Sequence, residues 1–303
     1  VASSFASVSG FYGWTSTHFS FDEKGYPLYD ENGSPIQELY SVDISDADLP
    51  GDTLVVPKTF DIETSQGNSG SITPKRLNIT GDERDGNALL GVRHLILEDA
   101  SNLNSLYVRG MPSLESIEIR GADHLTQLIV SECASLSSLG IPADSVHSLG
   151  LVKCPKLDHE SVLAKCSNTL TNLSLAFCSG TLNFDGSSFP NLERCSFNSL
   201  DLQSYDFLPC SKLESLNLYS CGLDFVDLSK IPQSVTSFSC QGNRIADTTL
   251  IVERFGDGAK VDGQFSNMST EPNWGIHVID DECANGYLMP GASVAFDTAD
   301  TYL

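Results

Sequence analysis

The sequence predicts a right-handed β-solenoid, or horseshoe, built from a leucine-rich repeat. It should be mostly strand with few short helices, with a parallel sheet on the concave face and β-rich non-repeat caps at both ends. Three observations predict it. An L-x-x-L-x-L frame recurs every 11 residues in the middle of the chain, and every 22 as a full unit; a fixed period of this kind marks a solenoid. The apolar positions fit no long 3.6-residue period, so the units read as extended rather than helical. A cysteine or asparagine returns at one fixed place in the unit.

Residues 1–75 lack the repeat. Apolar stretches such as Leu54-Val55-Val56 and Phe60-Asp61-Ile62 are broken by Glu31-Asn32-Gly33-Ser34-Pro35 and Asn68-Ser69-Gly70, which reads as short strands and turns. The segment is expected to cap the solenoid, whose end would otherwise expose its apolar core. Tyr26 to Gly33 reads as a hairpin with an Asn-Gly turn. Residues 76–255 carry the solenoid. Leu77-Asn78-Ile79 is expected to be an irregular first rung, followed by a polar loop over Asp82 to Asn87. The frame then runs through Val92-Leu95-Leu97, Leu103-Leu106-Val108, Leu114-Ile117-Ile119, Leu125-Leu128-Val130, Leu136-Leu139-Ile141 and Val146-Leu149-Leu151. At wider spacing it returns at Leu170, Leu192, Leu213 and Val235. Asp158 is placed to cap a short helix running to Lys165. Thr248 to Phe255 fits either a last helix or a strand. Residues 256–303 break the period again and read as a small β-rich cap.

With s as the first apolar residue of a frame, position s+8 is Met111, Cys133, Cys154, Cys178, Leu200, Cys221 and Asn243. Leucine-rich repeats normally hold an asparagine there, bonding backbone groups of the turn after the strand. A buried cysteine can replace it as a small apolar residue with a weak S–H donor. Cys133, Cys154, Cys178, Cys221 and Asn243 are therefore read as a structural ladder of free thiols and one amide. For Cys166, Cys195, Cys210, Cys240 and Cys283 the sequence leaves thiol or disulfide open. There is no C-x-x-C pair to suggest zinc.

Cys133-Ala134-Ser135-Leu136-Ser137-Ser138-Leu139-Gly140-Ile141-Pro142 resembles the C-x-x-L-x-x-I/L-x-I-P core of the BspA-like bacterial leucine-rich repeats. Cys210 to Leu218 resembles it without the proline, and the cysteine ladder is similar to that of some internalins. The resemblance spans about residues 77–255; the G-x-x-A-F segment of BspA-like units is missing. It implies a secreted or surface-attached protein engaged in adhesion or host interaction.

Lys and Arg number 17 against 40 Asp and Glu, a formal net charge of -23. That excess disfavours nucleic acid, whose binding needs cations to neutralise phosphates, and anionic membrane surfaces likewise. No stretch approaches the roughly 18–20 apolar residues that span a bilayer. The chain opens on Val1-Ala2-Ser3 rather than Met, so an upstream segment, able to carry a secretory signal, is expected to have been removed. An extracellular or cell-surface location follows from the resemblance.

The register puts s+2, s+4 and s+6 on the concave face. The candidate ligand-binding residues there are Tyr107, Arg109, Gln127, Asn172, Arg194, Asn198, Asn217, Tyr219 and Gln241. This surface is small, polar and nearly uncharged, suited to hydrogen-bonding a protein or glycan; otherwise its Ser and Asn side chains only solvate an exposed sheet. Acidic segments at Asp43 to Asp48 and Asp82 to Asn87 cluster oxygen atoms as calcium prefers. Neither has EF-hand spacing, and both are expected to be solvated loops. No metal site, cofactor or catalytic residue is expected, since H-E-x-x-H, G-x-S-x-G and P-loop motifs are missing. The expected function is a leucine-rich-repeat binding module for a protein or glycan. The alternatives are a structural spacer with no ligand and, remotely, an enzyme accessory domain.

Overall fold

Side chains alternate inward and outward with period two along a strand, and that alternation sets the architecture. The computed structural model describes residues 6–8, 11–19, 29, 37–47, 49, 51–64, 69–81, 87–142 and 145–262. They are mostly strands in long parallel sheets, with few helices. The chain divides into two compact units, Val1–Leu170 and Thr171–Leu303.

In the first unit the strands are β1 Ala6–Val8, β2 Phe11–Phe19, β3 Gln37–Ala47, β4 Thr53–Val56, β5 Phe60–Thr64, β6 Ser69–Ile72, β7 Arg76–Thr80, β8 His94–Leu97, β9 Ser105–Arg109, β10 Ser116–Ile119, β11 Gln127–Ser131, β12 Ser138–Leu139 and β13 Ser148–Val152. One sheet runs β13-β11-β9-β7-β3 in parallel and continues antiparallel through β2, β1, β5 and β6. A second parallel sheet runs β12-β10-β8-β4. From β7 to β13 consecutive strands alternate between the two sheets, which explains the 11-residue period. Frames starting at 103, 125 and 146 supply the first sheet, and those at 92, 114 and 136 the second. Partners across a sheet are therefore a full unit apart: Leu106 faces Leu128, and Leu95 faces Ile117. The inward columns Leu77-Leu106-Leu128-Leu149 and Ile79-Val108-Val130-Leu151 are almost wholly buried. Each such side chain contributes about 1.5–3 kcal/mol.

Helix α1, His159–Cys166, starts as expected at Asp158, whose carboxylate accepts from the Ser161 N–H at 3.2 Å. Val162, Leu163 and Cys166 form its buried face.

Two expectations are corrected. Leu77-Asn78-Ile79 is a regular rung: β7 pairs residue for residue with β9, because Leu77 and Ile79 fill the same buried columns as Leu106 and Val108. The acidic segment from Asp43 is strand through Ala47, not loop, since the burial of Val42 and Ile44 overrides its polar composition. Parallel pairing also extends into residues 1–75, where β3 joins β7 and β4 joins β8. The hairpin expected over Tyr26 to Gly33, apart from the exposed Tyr29, lies outside the described residues, as do the loop 82–86, Cys283 and the cap from residue 263 onward.

Gly81 and Gly110 meet backbone to backbone. A Cβ on Gly81 would stand 2.3 Å from the Gly110 carbonyl oxygen, and one on Gly110 2.5 Å from that of Gly81. Gly110 is also left-handed, with φ +67. We expect Gly110→Ala to lower the unfolding free energy by about 2–3 kcal/mol, from the clash and the φ penalty together. Gly91→Ala, where nothing lies within 4 Å, should change it by less than ~0.5 kcal/mol. Urea midpoints at constant m-value measure both; equal shifts would show that the close approach is not maintained.

The second unit has the parallel order β20-β19-β18-β16-β14, formed by β14 Asn172–Ala176, β16 Arg194–Asn198, β18 Ser215–Tyr219, β19 Ser237–Ser239 and β20 Ala259–Lys260. A smaller sheet pairs β15 Thr181–Asp185 with β17 Asp201–Asp206. Aromatic rings fill the space between them. Phe184 stacks on Phe189 at 4.9 Å and on Phe207 at 4.6 Å, with Phe197 edge-on at 5.3 Å. Thr249–Phe255 is helix α2 rather than strand. Arg254 fixes it by donating to the Leu228, Ile231 and Pro232 carbonyls at 2.7–2.8 Å.

Candidate functional site

The ladder position is a built structural feature in each unit. The residue before it takes positive φ throughout, at Gly110, Glu132, Lys153, Phe177, Ser199, Ser220 and Gly242. This left-handed step leads the chain off the strand and turns the next side chain inward. Asn243 shows what the position requires: its Oδ1 accepts from the Cys221 and Leu223 N–H groups at 2.9 and 3.0 Å, and its Nδ2 donates to the Leu218, Cys240 and Gln241 carbonyls at 2.7, 2.8 and 3.3 Å. The thiols repeat that pattern weakly. Cys221 donates to the Phe197 and Tyr219 carbonyls at 3.4 Å, and Cys154 to Val130 and Val152 at 3.7 and 3.4 Å. Cys133 and Cys178 each reach the carbonyl two residues back, at 3.3 and 3.4 Å. The Met111, Cys133 and Leu200 N–H groups point at Cys133, Cys154 and Cys221 respectively. Cys166, Cys195, Cys210 and Cys240 are free buried thiols too. Burial pushes Cys133, Cys210, Cys221 and Cys240 up to about 12 and Cys166 to about 11.

On the outward face of the first unit's larger sheet, the predicted residues bond to one another. The Tyr107 hydroxyl donates to Gln127 Oε1 at 2.5 Å, and Ser105 Oγ reaches the same oxygen at 3.3 Å. Arg76, not foreseen, lies over the Tyr107 ring at 4.4 Å and donates to Asn78 Oδ1 at 3.2 Å. Asn78 in turn donates to Asp43. Arg109 pairs with Glu132 at 3.0 Å, and Lys153 approaches the same carboxylate at 3.8 Å. Every group in this chain has a protein partner.

The second unit's face differs. Asn172 and Arg194 are register partners, as are Asn198 and Tyr219. Asn198 Oδ1 accepts from Ser199 Oγ at 2.8 Å, Arg194 lies 3.7 Å from Glu193, and Asn217 Nδ2 donates to Ser196 Oγ at 3.1 Å. The Gln241 carbonyl accepts from the Ser220 N–H at 2.9 Å. Burial raises the Tyr219 phenol. The Oδ1 atoms of Asn172 and Asn217 are buried with no hydrogen-bond partner. Such orphans are uncommon, because an unmade bond in a dry place costs about 1–3 kcal/mol.

Asp43 and Asp46, in the acidic segment whose sequence clusters oxygens as calcium prefers, are engaged within the fold. Asp46 Oδ1 accepts from the Ala47 and Ala88 N–H groups at 2.9 and 2.8 Å, and Asp43 binds Ser41 and Asn78. Among the described residues no group of three or more His, Cys, Asp or Glu is placed to hold a metal ion, and no helix is long and apolar enough to cross a membrane. Compared with protein-family models, curated proteins and solved structures, the chain finds no match in any of the three.

Proposed function

We propose that the chain is a leucine-rich-repeat solenoid of BspA-like or internalin-like type, secreted or held at a cell surface, which recognises a protein or glycan through the outward face of the second unit's larger sheet. The observation carrying this reading is the pair of orphaned amide oxygens, Asn172 Oδ1 and Asn217 Oδ1, on that face. A partner bringing N–H or O–H donors would satisfy them once the side chains covering them move aside. The first unit's face has already joined Tyr107, Gln127 and Arg109 to protein partners, so it offers a ligand less. The strongly acidic chain would repel nucleic acid from either surface.

Binding of the whole chain to an array of glycans and extracellular proteins, at two salt concentrations, tests this. A hit is expected to weaken at least about tenfold, or about 1.4 kcal/mol, in Asn172→Ala combined with Asn217→Ala, and to change little with salt because the face is nearly neutral. Asn172→Ala alone should not destabilise the free chain and should raise its unfolding free energy by about 1 kcal/mol, because it removes the orphaned oxygen, as expected of a side chain kept for a partner. A blank array would favour a spacer without a ligand.

A further inference from the structure

The second unit also carries a cavity of about 380 Å³ beside β17. β17 pairs with β15 along one edge only. At the other edge, main-chain bonds join the strand and the residue after it to the following segment at two points: Leu202 N–H to Cys221 O at 3.3 Å, and Phe207 N–H to Lys230 O at 2.9 Å. Between these points the segment leaves the strand, starting from Gly222 at φ +72. Within β17 the register shifts, so that Gln203 has no partner opposite it on β15. The gap between strand and segment is the cavity.

Its lining combines two features. Phe225 is 70% exposed, more than any other large hydrophobic side chain among the described residues. Around it lie Asp224, Asp227, Lys230 and Arg244, two anions and two cations, in a chain whose net charge is -23. Arg244 is engaged, with Nε on Asp224 Oδ1 and Nη2 on the Gly222 carbonyl, both at 2.8 Å. Asp227 Oδ1 takes the Ser229 N–H and O–H. Asp224, Lys230 and Gln203 also line the cavity, and the Asp227 carboxyl is lowered by its Ser229 bonds and by the nearby Lys230 ammonium. Donor and acceptors thus sit beside an open aromatic ring with no net charge.

This chemistry suits a pyranose: its hydroxyls need closely spaced donors and acceptors, and its C–H face packs on an aromatic ring. The volume is near the lower end for ligand pockets, about 300–1,000 Å³, enough for one ring rather than a chain. A charge-balanced site selects against strongly ionic ligands. We infer that this cavity binds one neutral hexose or N-acetylhexosamine residue, with Phe225 as the stacking platform and Asp224, Lys230 and Gln203 as hydroxyl partners. The inference rests on the recognition reading above in taking the partner to include a glycan, and adds a second surface.

Saturation-transfer NMR of the full chain with methyl glycosides of the common neutral hexoses and N-acetylhexosamines tests it. Transfer to the ring protons of at least one glycoside is expected. Affinity should fall at least about tenfold in Phe225→Ala and severalfold in Asp224→Asn, and stay unchanged in Asn217→Ala. Phe225 is exposed, so its removal should leave the urea midpoint in place, which separates lost binding from lost fold. No transfer from any glycoside, or transfer that survives Phe225→Ala, would overturn the cavity assignment. Array binding that depends on Asn172 and Asn217 would then still stand, so the two readings fail separately.

Discussion

Asn243→Ala should be the most damaging single substitution in the ladder, lowering the unfolding free energy by about 4–5 kcal/mol. Asn243 is 1% exposed and satisfies two N–H groups and three carbonyls of the adjoining turns. Alanine supplies none of these bonds, and the space left is too small and dry for water to replace them all. Each orphaned buried group costs about 1–3 kcal/mol, so even partial relaxation leaves a loss in the range reserved for broken buried networks. Asn243→Cys should recover part of it, because Cys221 occupies the equivalent place with two weak S–H contacts to carbonyls at 3.4 Å. Cys221→Ala, which removes only weak bonds and a small volume, should cost about 1–2 kcal/mol. Urea denaturation of the three variants reads the order directly. A loss below ~1 kcal/mol for Asn243→Ala would mean that the ladder bonds do not hold the turns.

The repeat, the strand positions and the ladder were legible in the sequence because one physical constraint wrote all three. A side chain every second position must fill the space between two sheets, and one polar or thiol group per unit must meet the turn's backbone. Leu106, Leu128 and Leu149 advertise the first, and Cys133, Cys154 and Cys221 the second. Asp43 reads as loop because a strand in a parallel sheet can carry carboxylates outward while Val42 and Ile44 hold it in place; local composition resembles a loop until the pairing partner is known. The same limit hid Arg76 and Asn78. Their segment, Arg76-Leu77-Asn78-Ile79-Thr80, has the outward and inward alternation of its neighbours, but residues inserted after Gly81 displaced it from the 22-residue spacing. Which face residues have spare bonding capacity is a question of pairs. Tyr107 and Asn217 look alike as polar outward residues, yet one donates to Gln127 and the other keeps an orphan oxygen. The Phe225 cavity depends on where a segment departs from an edge strand, and no periodicity records that.

Alkaline pH should unfold the chain between roughly pH 9.5 and 11.5. The cause is the same set of buried thiols. Cys133, Cys210, Cys221 and Cys240, four groups, are pushed to about 12, chiefly by burial; unfolded thiols titrate near about 8.5. Between these values the folded chain keeps its thiol protons while the unfolded chain has released them. The folded state then binds more protons, so stability falls as pH rises. It is fully present below about pH 8.5 and is lost progressively toward 12, at about 1.4 kcal/mol per pH unit for each thiol and about 5 kcal/mol per unit for the four together. Tyr205, also raised to about 12 by burial, acts in the same direction above pH 10. A stability typical of a folded domain, about 5–15 kcal/mol, would be exhausted within one to three units. Far-UV circular dichroism across pH 8–12 should show a cooperative loss of strand signal, with thiol reactivity appearing at the same pH rather than earlier. Cys221→Ala should flatten the dependence by one proton. Thiols that react at pH 9 while the strand signal holds would place them within reach of water, and the ladder would then owe its stability to something other than dry packing.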